Sequence, residues 1–135
     1  MYSLLIKRVM NLLLNGQSEV LEVLRNQYAY SKIDEIKLTG KGFIVNFKLS
    51  SESIPVCNNA KQDFAFGDVD GIIDGTVSAV GFILFVRNGY ISTLEGYANI
   101  PGSWVKVDNN TSVGYRIERR SLKEIEKSWL IELPK

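Results

Sequence analysis

The stretch GIIDGTVSAVGFILFVRNGYISTLEGYA, Gly71 to Ala98, decides the fold. It carries two two-residue turn signals, Asp74-Gly75 and Asn88-Gly89, each set between apolar runs. Both central residues of a type I′ turn take positive φ, which is why Asp-Gly and Asn-Gly dominate there. The two signals predict a three-stranded antiparallel meander with strands over about Phe64–Ile73, Thr76–Arg87 and Tyr90–Tyr97. The middle run is apolar at both parities, as a strand with neighbours on either side should be.

Two-residue loops also set register. With pairing unbroken from both turns, one face carries Phe64, Phe66, Asp68, Asp70, Ala79, Gly81, Ile83, Phe85, Ser92, Leu94 and Gly96. The other carries Ala65, Val69, Val80, Phe82, Leu84, Val86, Ile91, Thr93, Glu95 and Tyr97. Asp68 then falls opposite Gly81 and Gly96, a notch lined by a carboxylate, and Glu95 falls opposite Phe82. A notch of that kind suits a small ligand, with Tyr90 or Tyr97 as further polar contributors. Glycines that ease twist or close packing at a bend account for the same residues.

Outward from the meander, Phe43, Val45, Phe47 and Leu49 alternate with Ile44, Asn46 and Lys48, and Gly40-Lys41-Gly42 separates them from a run at 35–39. That is a hairpin. Residues 50–62 have no period and read as a loop. Towards the N-terminus, Leu4, Leu5, Ile6, Val9, Met10, Leu12 and Leu13 recur on a broad helical face, with Ser3 as the expected N-cap. Asn15-Gly16 stops that helix, and Ser18 caps a second one running to about Arg25 with Val20, Leu21, Val23 and Leu24 inward.

Beyond the meander, Pro101-Gly102 precedes Trp104, which is read either as a partner anchor or as a cap on the core edge. Val113–Arg119 alternates as a further strand. Ser121-Leu122-Lys123-Glu124 spells a capping box that opens a terminal helix with Ile125 and Trp129 inward, while Trp129–Leu133 also reads as an edge strand.

At 135 residues, 45% hydrophobic and 23% charged, the composition is that of one ordinary globular domain, residues 1–135. In the first fourteen residues Lys7 and Arg8 split the apolar run, unlike a secretory signal, so a cytoplasmic location is expected. No apolar run is long enough for a membrane span. The single Cys57 allows no internal disulfide and reads as a structural or surface thiol. With no histidine anywhere, Ser/His and Cys/His hydrolysis and His-containing zinc sites are excluded.

The net charge of +1 hides an acidic block at 51–74, with five acidic residues and one basic: Glu52, Asp63, Asp68, Asp70, Asp74 and Lys61. It reads as a face for a basic partner or as a solvated strand-and-turn region. DVDGIIDG begins like a calcium loop, but Ile72 at its fifth position and Ala79 at its twelfth break the pattern. No glycine-rich loop precedes a helix, so nucleotide binding has no support. Arg116, Arg119, Arg120, Lys123 and Lys127 cluster, but Glu118, Glu124 and Glu126 interleave with them, which argues against nucleic acid. No catalytic, cofactor-binding or metal-binding residue is assigned, and no cofactor.

Gly67-Asp68-Val69, then Gly81-Phe82-Ile83-Leu84-Phe85-Val86-Arg87-Asn88-Gly89-Tyr90-Ile91 and Leu94-Glu95-Gly96-Tyr97, form a string that resembles α+β domains among bacterial immunity proteins of polymorphic-toxin and contact-dependent growth inhibition systems. The resemblance covers residues 67–97. It departs from the family pattern at Trp104-Val105, where a Trp-Pro is expected. It implies a protein that is not an enzyme and that neutralises a cognate toxin domain by stoichiometric inhibition. On that reading Asp63, Asp68, Asp70, Asp74, Glu95, Tyr97 and Trp104 contact the partner.

The expected architecture is therefore α+β, with N-terminal helices packed on a five- to six-stranded antiparallel meander sheet, cystatin-like in outline. A small-ligand or enzymatic domain with a pocket near Asp68, Gly81 and Gly96 is the alternative. A homodimer formed through an exposed sheet face is a third reading.

Overall fold

The computed structural model describes residues 2–56, 60–117 and 120–130. The fold is α+β. Helices α1 (Ser3–Leu13) and α2 (Glu19–Ala29) precede strands β1 (Lys32–Leu38), β2 (Gly42–Lys48), β3 (Phe64–Ile73), β4 (Thr76–Arg87) and β5 (Tyr90–Ala98). A short 3₁₀ helix (Ser103–Lys106), strand β6 (Ser112–Tyr115) and helix α3 (Leu122–Trp129) follow. The six strands form one antiparallel sheet in the order β1-β2-β5-β4-β3-β6. The meander β3-β4-β5 is its middle, with β4 flanked on both sides.

Both turns take the predicted form. Asp74 and Gly75 have φ of 50° and 78°, and Asn88 and Gly89 have 54° and 80°. The Asp63 carboxylate accepts from the Asn88 amide at 2.8 Å, which holds the second turn against the start of β3.

One face of the sheet is covered. Phe43, Val45, Phe66, Val69, Val80, Phe82, Leu84, Val86 and Leu94 lie on it, all buried, and all three helices pack there. Tyr2, ahead of α1, meets Phe43 edge-on at 5.4 Å, Tyr28 of α2 meets Phe47 at 6.0 Å, and Trp129 of α3 meets Phe66 at 4.7 Å. Burial of such large side chains, at about 25 cal/mol per Å² of apolar surface, is the main term holding helices to sheet.

The local signals hold with small shifts. Ser18 accepts from the Leu21 amide as N-cap of α2, which runs on to Ala29. Tyr2 rather than Ser3 occupies the N-cap of α1, and no side chain caps it. Ser121 does stand at the N-cap of α3, again without a side-chain bond. Trp129 is fully buried, so the helical reading of the C-terminal region holds for its described part. Residues 131–133 of the alternative strand, and Cys57, lie outside the described residues.

The unbroken register does not hold, because three irregularities interrupt it. Arg87↔Tyr90 and Val86↔Ile91 pair as the turn dictates, but the next pair is Phe85↔Thr93. Ile73↔Thr76 is followed by Gly71↔Val80, and Ser78 in the longer segment takes φ of 56°. Gly67 and Asp68 together face the single residue Ile83, between the pairs Phe66↔Leu84 and Val69↔Phe82. Each bulge reverses the parity of everything beyond it. Phe64 and Phe66 therefore join Leu84, Val86 and Leu94 on the covered face, while Ile83, Phe85, Thr93, Glu95 and Tyr97 share the other.

Candidate functional site

Among the described residues the second face of the sheet carries no helix, and its cross-strand neighbours fall into three rows. The first is Gly42, Tyr97, Gly81, Asp70 and Gly114; the second Lys37, Ile44, Glu95 and Ile83; the third Glu35, Asn46, Thr93, Phe85 and Ala65. Ile44, Ile83, Phe85, Glu95 and Tyr97 are all half-buried. Glu95 stands between Ile44 and Ile83, so a carboxylate is framed by two branched aliphatic side chains. In the third row Thr93 donates to the Asn46 side chain at 3.0 Å, and the Arg87 guanidinium lies over the Phe85 ring, 5.4 Å from its centre.

Bulge geometry overturns the notch. Asp70, not Asp68, pairs with Gly81, and the space above Gly81 is taken by the Tyr97 ring: a Cβ there would lie 2.4 Å from the phenol oxygen. Gly96 belongs to the covered face, where a Cβ would lie 2.3 Å from Trp104 and 2.6 Å from Phe43. Glu95 faces Ile83 rather than Phe82. The three residues Asp68, Gly81 and Gly96 do not share a cavity.

The acidic block is also used internally. Asp70, only 5% exposed, receives a two-pronged bond from Arg116, Nε and Nη2 each at 2.9 Å, and Arg116 also donates to the Tyr97 hydroxyl at 3.3 Å. The bond to Asp70 holds the Arg116 guanidinium protonated even more firmly than usual, burial opposing it. Arg120 donates to Asp68 at 2.8 Å and to the Leu13 carbonyl at 2.6 Å, and reaches Asn15 as well. Asp74 pairs with Lys106, and Asp63 holds the Asn88 turn. Asp68 and Asp70 are thus consumed by the fold, while Asp63 and Asp74 find their partners at the surface.

Of the seven residues expected to contact a partner, Glu95 and Tyr97 stand on the open face. Asp63 and Asp74 are exposed at two turns, while Asp68 and Asp70 are tied to arginines. Trp104 is 5% exposed and packs edge-on against Phe43 and Phe82, so it caps the core edge and is no protruding anchor. Sequence reasoning missed Ile44, Ile83 and Phe85 as companions of Glu95, because an unbroken register sends Glu95 to the opposite side. It also read Arg116 and Arg120 as a basic cluster, whereas both serve the acidic block. The complementary charges of 63–74 and 116–120 were the signal for that pairing.

A separate cleft of about 420 Å³ opens between α2 and the loop after β2, lined by Val23, Asn26, Tyr30, Glu52, Ser53 and Ile54 among others. Among the described residues no three of Asp, Glu or Cys gather as a metal site, and no helix is long and apolar enough to cross a membrane. No protein-family profile, curated protein or solved structure matches the chain.

Proposed function

We propose that the chain is a binding protein that neutralises a cognate bacterial toxin domain by stoichiometric occlusion, and that the uncovered sheet face is its contact surface. The carrying observation is the group Ile44, Glu95, Ile83 and Phe85. Half-exposed aliphatic and aromatic side chains surround one carboxylate on a rigid strand platform. Apolar anchors around a central charge suit a protein surface presenting a lysine or arginine, since a charge pair shielded by apolar neighbours sharpens specificity. The resemblance of the 67–97 string to immunity proteins supports the choice of a toxin as partner.

Co-expression tests the reading. A toxin domain encoded beside this chain should lose its lethality when the protein is present, and the two should co-purify at one to one. Equal killing with and without the protein overturns the proposal. Retained protection by Ile83→Asp would remove the open face from it.

A further inference from the structure

Strand β1 ends the sheet: β2 pairs with its inner side, and among the described residues no strand pairs with its outer side. It is seven residues long and almost wholly exposed, with Ile33 at 40% and Leu38 at 61%. An edge of that length with apolar side chains is a template for a further strand. Its hydrogen-bond phase is set by the hairpin turn, where the Thr39 amide donates to the Gly42 carbonyl at 3.1 Å. Alternation then turns the amides and carbonyls of Lys37 and Glu35 towards β2 and those of Ile36 and Leu38 outward.

The side chains select the occupant. Ile36 and Leu38 pair with Val45 and Phe43 and so lie on the helix-covered side; Glu35 and Lys37 pair with Asn46 and Ile44 and lie on the open side. A second β1 arriving antiparallel, related by a two-fold axis normal to the sheet, keeps the faces of both copies matched. Three registers centre on residues 35 to 37 of the regular part of the strand. One centres Glu35 on Glu35 and another Lys37 on Lys37, each opposing like charges. The third centres Ile36 on Ile36 and sets each Glu35 opposite the Lys37 of the other copy.

Glu35 and Lys37 already approach to 3.9 Å within one strand, so this third register closes an alternating ring of four charges. On the covered side it sets the two Ile36 side chains against each other, with each Leu38 diagonal to the Ile36 of the other copy. We infer that β1 is a self-pairing edge: two copies join through Ile36 into one continuous twelve-stranded sheet. The contact is short, far below the area of a standard interface, which makes the dimer weak and concentration-dependent.

Sedimentation equilibrium on the full chain reads this directly. Lys37→Glu opposes like charges at both cross-strand sites and should weaken the dimer about tenfold, since each such pair contributes up to about 1 kcal/mol. The exchange Glu35→Lys with Lys37→Glu should restore it. Ile36→Pro removes the central outward amide and should leave a folded monomer, because proline is tolerated on an edge strand; its circular dichroism checks the fold. A wild type that stays monomeric at all concentrations overturns the inference. So does a dimer that neither Lys37→Glu nor a folded Ile36→Pro variant weakens.

Discussion

The side-chain oxygen of Gln27 accepts a hydrogen bond from the Ile91 amide at 2.8 Å, in the core. The β2–β5 pairing ends at Asn46↔Thr93, and β5 bulges beside Ile91, so that amide lies past the reach of β2. The Gln27 amide nitrogen donates to the Ile54 carbonyl at 2.8 Å and the Gly89 carbonyl at 2.9 Å. One residue of α2 thus ties a loop, a turn and a strand. Replacing it with leucine keeps the volume but leaves the buried Ile91 amide without an acceptor, while the Gly89 carbonyl keeps its bond from the Val56 amide. Gln27→Leu should cost about 3 kcal/mol, read as a shift in the urea midpoint without a change in slope.

Arg120 locks the C-terminal segment to the end of α1. Its guanidinium, 8% exposed, spans Asp68 and the Leu13 carbonyl and stacks on Tyr115 at 5.1 Å, while Tyr115 itself donates to Leu12 at 2.7 Å. Arg120→Leu leaves Asp68 without its cation and the α1 carbonyls without a donor. The loss should reach about 3 kcal/mol, and Asp68→Asn alone should cost less because the carbonyl bonds survive. In a double-mutant cycle the two losses should fall short of adding, the sign of a direct pair.

These residues show where the sequence was legible. Positive φ is a property of two adjacent residues, so Asp74-Gly75 and Asn88-Gly89 announced both turns and the central place of β4 followed. The bulges were not legible. Gly67-Asp68 bulges because the Asp68 carboxylate finds Arg120, fifty-two residues along the chain, and because Gly67 lies so close to β4 that a Cβ would meet the Phe82 carbonyl at 2.1 Å. Local propensity carries no record of so distant a partner. The error passed to the site: the unbroken register set Glu95 beside Phe82 rather than Ile83 and Tyr97 beside Val80 rather than Gly81, and Trp104 was left between surface and core.

Trp104 leads to a packing test. Its ring fills the space over Gly96 together with Phe43, whose centroid lies 5.0 Å from that of the indole. Gly96→Ala inserts a methyl group between them and should cost about 1–3 kcal/mol, the usual range for an overfilled core. Gly96→Ala with Trp104→Phe should recover part of the loss, because the smaller ring vacates the contested space. A thermal melt of the three proteins decides it.

Tyr28 makes stability depend on alkaline pH. Its ring packs on Phe47, and burial raises its ionisation above the ordinary value of 10.0. The unfolded chain therefore gives up this proton first. The stability held below pH 10 is lost progressively as the pH rises through 10 towards the folded value. Tyr28→Phe removes that component, so the difference in unfolding free energy between wild type and variant should be constant below pH 9 and shift in favour of the variant above it. A difference unchanged up to pH 11 would contradict the assignment.

The open face yields the sharpest separation of binding from folding. Ile83 and Glu95 are half-buried and face each other across β4 and β5, and among the described residues their side chains make no hydrogen bond or ion pair. Glu95→Lys should therefore change unfolding free energy by less than about 1 kcal/mol. Against a partner that places a cation between Ile44 and Ile83 it should weaken binding at least thirtyfold, since reversal of a central charge costs 2 kcal/mol or more. Glu95→Gln should fall between the two. Isothermal titration with the partner domain proposed above, alongside denaturant unfolding of each variant, separates the effects. Loss of stability without loss of affinity would return Glu95 to a structural role.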